Sequence, residues 1–373
     1  MDQHQDQVQI LENFRQQILA GQPLRMRGGG SKDWYGQAPQ GALLDTRAYA
    51  GIVDYEPTEL VITARCGTPL AEIDAALAAN NQMLAFEPPH FGPGATVGGM
   101  IACGLSGPAR QAVGSVRDFV LGTVLMDGAG EVLHFGGQVM KNVAGYDVSR
   151  LLTGSLGSLG LILEASIKVL PRPFVTSTRR FQMRQSDAIR RLNEWGGQPL
   201  PISASAWCDD VLTLRLSGAA AAVGAAAAKL GGDRLEDAGA DAFWCDLREQ
   251  RHAYFKQEDW EQKQEQGGLA SLWRLSVPST AAPIALPGVT LIEWGGAQRW
   301  LRLSGQDDAQ ADAASVRVAA AAAGGHATLF RGGDKELGVF QPLAPVLEKI
   351  HRKLKASFDP SGVFNCGRMY PHL

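Results

Sequence analysis

Paired cysteines are missing from this chain. Its five cysteines, Cys66, Cys103, Cys208, Cys245 and Cys366, are odd in number, and none forms a C-x-x-C pair. That spacing argues against a disulfide framework or an iron–sulfur cluster held by the chain itself, and it points to a reducing cytoplasm. Long apolar runs are missing as well. The most apolar window, residues 151–170, carries Glu164, Lys168 and three glycines, a pattern unsuited to a membrane span. Charge of one sign is also scarce. The 35 basic and 38 acidic residues leave a net charge of −3 with no Lys/Arg block, so nucleic acid is not an expected partner. The polar stretch from Met1 to Gln7 reads as neither a signal nor a transit peptide.

What the chain has in quantity is glycine, 44 of 373 residues. A hydrophobic content of 45% supports a large core, and the length suggests two domains. The glycines gather in Arg27-Gly28-Gly29-Gly30-Ser31, in Pro93-Gly94-Ala95-Thr96-Val97-Gly98-Gly99 continuing to Gly104 and Gly107, and in residues 154–160. One such cluster reads equally well as a run of tight turns. Several within about one domain's length point to backbone laid against a ligand, its amides converging on an anion.

In chain order, Leu11, Phe14 and Ile18 have helical spacing, and Leu24 to Arg27 alternates as a strand. Short strands are expected over 42–45 and 60–64, then a helix with Thr68 as N-cap and Pro69 at its first position. Strands at 119–126 and 131–135 flank the hairpin signal Asp127-Gly128-Ala129-Gly130. Asp147 is the expected N-cap of a short helix through Leu152, and a long buried strand runs from Leu161 to Leu170. Pro171-Arg172-Pro173 marks a boundary. Beyond it the order strand, helix, strand, strand, helix resembles a split βαβ sandwich, followed by a looser second round. That round has a helical stretch at 242–255 and a solvated charged run at 256–266. Its strands fall near 272–277, 289–294, 299–303 and 327–331, with a helix at 313–323. A helix at 343–356 and the tail Phe358-Asp359-Pro360-Ser361-Gly362-Val363-Phe364-Asn365 close the chain.

Taken together, the glycine clusters, Gly114-Ser115-Val116-Arg117-Asp118 and the tail resemble flavoproteins of the vanillyl-alcohol oxidase type. Their FAD domain is named after para-cresol methylhydroxylase (PCMH). Met140 to Asp147 and Gly325 to Gly332 look most like the FAD-binding E-subunit branch of bacterial glycolate oxidases. The resemblance implies an α+β fold: a PCMH-type FAD domain of two α/β subdomains over 1–173, an antiparallel-sheet and helix cap over 174–340, and a segment 341–373 returning to the flavin. It also implies that Arg27, Gly28, Gly29, Gly30 and Ser31 meet the FAD diphosphate, with Pro93, Gly94, Thr96, Val97, Gly98 and Gly99 approaching from the other side. Gly104, Gly107, Ser115, Asp118, Gly160 and Ile162 complete the cofactor set, and Asn365 lies by the ring. For Asp118 and Asn365 a plain turn or cap role is the competing reading.

Many relatives attach FAD through a histidine in the first cluster. Here that neighbourhood reads Gly30-Ser31-Lys32, so non-covalent FAD is expected. Cys366 stands where the family commonly has proline. The implied reaction converts a small 2-hydroxy acid, glycolate or D-lactate, to its 2-oxo acid, with electrons passed to an iron–sulfur subunit of a complex that also holds a second FAD subunit. Arg331 and Arg368 are candidates to hold the substrate carboxylate and His326 to take the proton. The seven histidines are scattered, so no metal is expected. The expected setting is cytoplasmic, with the inner membrane touched only through partners. The competing reading is a flavin-bearing or structural subunit without turnover of its own. A nucleotide-sugar reductase lacks an evident basic pocket here. A nicotinamide enzyme is disfavoured because Pro88-Pro89, not a strand, precedes Gly92-Pro93-Gly94, and no helix is evident after it.

Overall fold

A computed structural model describes residues 2–137, 147–256, 270–303 and 313–373. The motif from Met140 to Tyr146, and all of the 256–266 run except Lys256, lie outside the described residues. Two compact units emerge. The first joins Met1–Ser106, Gly114–Pro171 and Pro342–Leu373, and the second joins Gly107–Val113 to Arg172–Gln341.

In the first unit, β1 (Leu24–Arg27) and β2 (Ala42–Asp45) pair in parallel. The strands β3 (Ile52–Glu56), β4 (Val61–Arg65), β6 (Val120–Met126), β7 (Val132–Gly136) and β8 (Leu161–Lys168) form an antiparallel sheet ordered β3-β4-β8-β6-β7 among the described residues. A small pair joins β5 (Gln82–Met83) to β9 (Leu170–Pro171). The expected hairpin is β6–β7, closed by Asp127, whose Oδ1 accepts from the Ala129 and Glu131 amides. Asp147 accepts from the Arg150 amide and caps Val148–Leu152, as its sequence position implies. The strand β3 has half-exposed, mixed residues, which is why the hydrophobic pattern does not reveal it.

Two local expectations are corrected. Thr68 does not cap the next helix. Its hydroxyl exchanges hydrogen bonds with Gly51, so Pro69 becomes the N-cap of Leu70–Ala79. A helix does open on the central glycine cluster, at Val97–Cys103, with Thr96 as its N-cap. Helix propensity disfavours Gly98 and Gly99 by about 1 kcal/mol each, so the helix depends on tertiary partners. They are in place: the Val97 and Gly98 amides donate to Thr68 and Cys66 carbonyls, and at the far end Ile101 and Ala102 carbonyls accept from Gly154 and Leu156. The core of the unit includes Phe14 and Ile18 from the first helix, Leu24, Leu44 and Leu163 from strands, and Val363 and Phe364 from the tail.

The second unit is one continuous antiparallel sheet rather than two separate rounds. Its strands are β10 (Val175–Gln182), β11 (Ile202–Cys208), β12 (Val211–Gly218), β13 (Asp233–Leu235), β14 (Ser271–Ser276), β15 (Val289–Glu293), β16 (Gln298–Leu303) and β17 (His326–Gly332). Among the described residues their order is β13-β10-β12-β11-β15-β16-β14-β17. The halves are stitched where Ala206 and Trp207 pair with Glu293 and Ile292. Gln185–Gly196 and Ala220–Leu230 cover the first half, and Ala313–Ala322 covers the second. The helical stretch expected at 242–255 is instead Asp237–Arg248 followed by a single turn, Ala253–Phe255. Among the described residues, no helix is long and apolar enough to cross a membrane.

Candidate functional site

A cleft in the first unit, with about 770 Å³ of unfilled space counting its open mouth, lies where the three glycine clusters meet. Arg27, Gly28, Gly29, Gly30 and Ser31 line one wall, Thr96, Gly98 and Gly99 another, and Gly160 and Ile162 a third, with Asn365 and Arg368 from the tail.

The first wall has a definite polarity. Carbonyls of Gly30 and Ser31 are used inside the loop, accepting from the Asp33 amide (3.1 Å) and the Trp34 indole (3.1 Å). Among the described residues, no acceptor takes the amides of Gly29, Gly30 or Ser31. Amides left without an acceptor beside a cleft form a site for an anion, because an unsatisfied backbone donor there costs free energy that a ligand recovers. The walls also approach without side chains between them. A Cβ on Gly29 would lie 1.4 Å from the Gly94 carbonyl oxygen, and one on Gly157, at φ +72°, would lie 2.8 Å from Asn365 Nδ2.

The tail fixes the opposite side. Asn365, at φ 41°, accepts the Met26 amide on Oδ1 (2.9 Å) and donates Nδ2 to the Leu156 carbonyl (2.6 Å). Its side chain therefore joins β1 to the third glycine cluster while still lining the cleft. Replacing it with alanine strands both main-chain groups and puts a poorly suited residue at positive φ. Asn365→Ala should lose about 3 kcal/mol of stability by denaturant titration and weaken FAD binding. Arg368 is buried, with its guanidinium donating to the Gln37 carbonyl and, at 2.8 Å, to that of Asp33. It lines the cleft and clamps residues 33–37 to the tail. Burial, partly opposed by Cys103 and Asp33, lowers its pKa from the usual arginine value.

Other sequence candidates stand elsewhere. Val97 is fully buried and faces the core. Gly94 backs Gly29 from behind, and Pro93 is exposed beside it. Gly104 ends the helix in the left-handed region, where a Cβ would meet Gly154 Cα at 2.9 Å. The Ser115 amide and hydroxyl both donate to Asp118 Oδ2 (2.8 and 2.9 Å), so Asp118 makes a local cap and neither residue lines the cleft. Gly107 belongs to the second unit, where its carbonyl accepts the Trp294 indole (3.0 Å). His326 and Arg331 are also in that unit, on β17. His326 is exposed at the start of the strand, whereas burial holds the Arg331 guanidinium down to about 10.

Sequence reasoning missed Lys32, Thr46, Cys66, Cys103 and Leu156, all of which line the cleft. Lys32 could have been suspected from its place beside the first cluster. It is buried, 3.2 Å from the His90 carbonyl. The two cysteines carried no pattern, and only the packing of distant segments brings them here. Burial pushes the Cys66 thiol up to about 12 and raises that of Cys103, where Lys32 and Arg368 oppose the shift. Neither is a ready nucleophile. Among the described residues, no group of three or more His, Cys, Asp or Glu side chains could hold a metal ion.

Residues 2–136 match the FAD binding domain family. Over 364 residues the chain is 48% identical to glycolate oxidase subunit GlcE of Escherichia coli K12, spanning 98% of this chain and 97% of that one. The chain belongs to the GlcE-type family of PCMH-type FAD-binding flavoproteins. It is similar, at 35% identity over 153 residues, to a D-lactate dehydrogenase of Archaeoglobus fulgidus, covering 40% of this chain and 34% of that one. Among solved structures, alkyldihydroxyacetonephosphate synthase superposes with a TM-score of 0.63 over 96% of this chain and 74% of its own. At 14% identity that likeness establishes the fold alone. Members of this family are FAD-binding oxidoreductases, and FAD is the cofactor here. The cleft suits it. Amides without acceptors meet a diphosphate, the backbone walls leave room for close approach, and Ile162 and Leu161 offer apolar surface to a ring.

Proposed function

We propose that this chain is the FAD-binding subunit of a glycolate oxidase complex and takes part in oxidising a 2-hydroxy acid, glycolate or D-lactate, to the 2-oxo acid. What carries the reading is the match to GlcE along nearly all of both chains, joined to a cleft whose unused amides suit a diphosphate. When bound, FAD accepts the two electrons released as the hydroxyl carbon becomes a carbonyl. In this reading Gly29, Gly30 and Ser31 hold the diphosphate through their amides. Asn365 and Arg368 position the walls, and the cofactor is held non-covalently, since Ser31 and Lys32 occupy the neighbourhood of the attachment histidine. Arg331 is the candidate to hold the substrate carboxylate; His326, the other sequence candidate, stands five residues away along β17, about 16 Å, so the two do not both reach one small acid and the proton is not assigned to it. The electrons then leave to an iron–sulfur partner subunit, and a second FAD subunit belongs to the same complex.

One observation favours the competing subunit without turnover: Arg368, a candidate anchor, is engaged by main-chain carbonyls. Anaerobic addition of glycolate and of D-lactate to the FAD-loaded chain separates the two. Bleaching of the visible flavin band by either acid is expected for a catalytic subunit. A band that persists in the isolated chain, yet bleaches once partner subunits are added, assigns turnover to them.

A further inference from the structure

The helix Pro345–Phe358, in the first unit, is anchored from one side. Lys355 reaches the carbonyls of Ser158 and Phe364, Phe358 lies 6.3 Å ring to ring from Phe135, and His351 lies 6.2 Å from Tyr370. None of its 14 residues is buried. Val346, Leu347 and Ile350 are 72%, 50% and 53% exposed. Their spacing aligns them in one stripe with Leu354. The adjoining row is Lys349 and Lys353, each three residues beyond a stripe residue. Both are exposed, and neither pairs with a carboxylate among the described residues. Arg352 is engaged by Glu348 at 2.8 Å. In a chain of net charge −3, this helix thus sets a basic border against a bare aliphatic stripe.

We propose that this helix docks on an anionic lipid surface, lying flat with Val346, Leu347 and Ile350 at the acyl boundary and Lys349 and Lys353 among the headgroup phosphates. An amphipathic helix with a basic polar side and low overall hydrophobicity binds such a surface through two signals, apolar burial and charge. A protein partner is the poorer fit. Lys349 and Lys353 have no carboxylate of this chain among the described residues, and the phosphates of an anionic lipid surface supply a counter-charge to both at once. The helix rests on the surface and does not span it. The inference does not depend on which substrate the flavin site serves.

Flotation of the full FAD-loaded chain with vesicles of mixed phosphatidylglycerol and phosphatidylcholine, and with pure phosphatidylcholine, tests this. The chain should float with the mixed vesicles and be left behind by the neutral ones, and added salt should weaken the binding. Two double variants, Val346→Gln with Ile350→Gln and Lys349→Gln with Lys353→Gln, should each lower the bound fraction about tenfold. Both should keep the wild-type flavin absorbance and melting temperature, which shows that they fold. Absence of flotation, equal flotation with both vesicle types, or variants that bind like the wild type would overturn the proposal. So would amide exchange over residues 345–354 that vesicles leave unchanged but a co-purified polypeptide slows, because the occupant would then be a protein.

Discussion

Gly29→Ala should give a colourless protein that takes up less than about a tenth of the FAD bound by the wild type. The added methyl would lie 1.4 Å from the Gly94 carbonyl oxygen, with Gly94 carbon and Cα at 2.2 and 2.8 Å. All three atoms are backbone, so no rotamer change relieves the overlap. One loop must move by more than an ångström, and the wall that presents the Gly29, Gly30 and Ser31 amides moves with it. Displaced donors no longer converge, and a cofactor held by charge-assisted hydrogen bonds loses most of its affinity when they are misplaced. Gly196→Ala provides the control. It ends the Gln185–Gly196 helix with nothing within 4 Å of an added Cβ, so that variant should bind FAD normally and melt at or slightly above the wild-type temperature. Flavin absorbance per polypeptide after reconstitution, set beside far-ultraviolet circular dichroism, distinguishes a lost site from a lost fold. A yellow Gly29→Ala protein with wild-type affinity would contradict the geometry.

The other large effect is expected at Asp359. This carboxylate is 2% exposed and is held from three sides: by Lys355 Nζ at 2.6 Å, the Val363 amide at 2.9 Å and the Phe364 amide at 2.8 Å. Lys355 in turn donates to the Ser158 carbonyl (2.8 Å) and the Phe364 carbonyl (2.7 Å), tying the tail to the third glycine cluster. Removing one member of a buried, hydrogen-bonded ion pair leaves the other charge uncompensated, at a cost of about 3–5 kcal/mol. Asp359→Ala should lose that much in urea titration. It should also weaken FAD binding, because Asn365 follows directly on the turn that Asp359 organises. Lys355→Met should cost a similar amount, because it leaves the fully buried Asp359 carboxylate with only the Val363 and Phe364 amides to offset its charge. Near-neutral stability in Asp359→Ala would mean that the three bonds do not hold the tail.

Local signals in this sequence translate well where the partners are near in the chain. The 127–130 turn closes on its own Asp127, Asp147 caps the residues directly after it, and the apolar run from 161 becomes β8 because its side chains are buried on both faces. Signals fail where a distant group competes. Thr68 looks like a cap until Gly51, 17 residues away, engages its hydroxyl. No helix is evident after Gly92-Pro93-Gly94 until Cys66 and Thr68 receive the amides at the start of Val97–Cys103. Arg368 reads as free to meet a substrate carboxylate, whereas its Nη1 and Nη2 each donate to a carbonyl of a loop that includes Gln37, 331 residues away.

By itself, the order of residues determined that the chain would offer bare, glycine-rich backbone in several places, bounded by strands of the right length, with no histidine at hand for a covalent link. Composition and local patterning suffice for that, since a missing Cβ is a property of the residue and not of its surroundings. Tertiary structure alone decided which amides beside the cleft are left without acceptors and which are consumed in packing. The loop at Gly29–Ser31 turns its carbonyls inward and leaves its N–H groups without acceptors, while Val97 and Gly98 surrender theirs to neighbouring carbonyls. Every main-chain donor looks alike in sequence, and only the position of the nearest acceptor tells them apart.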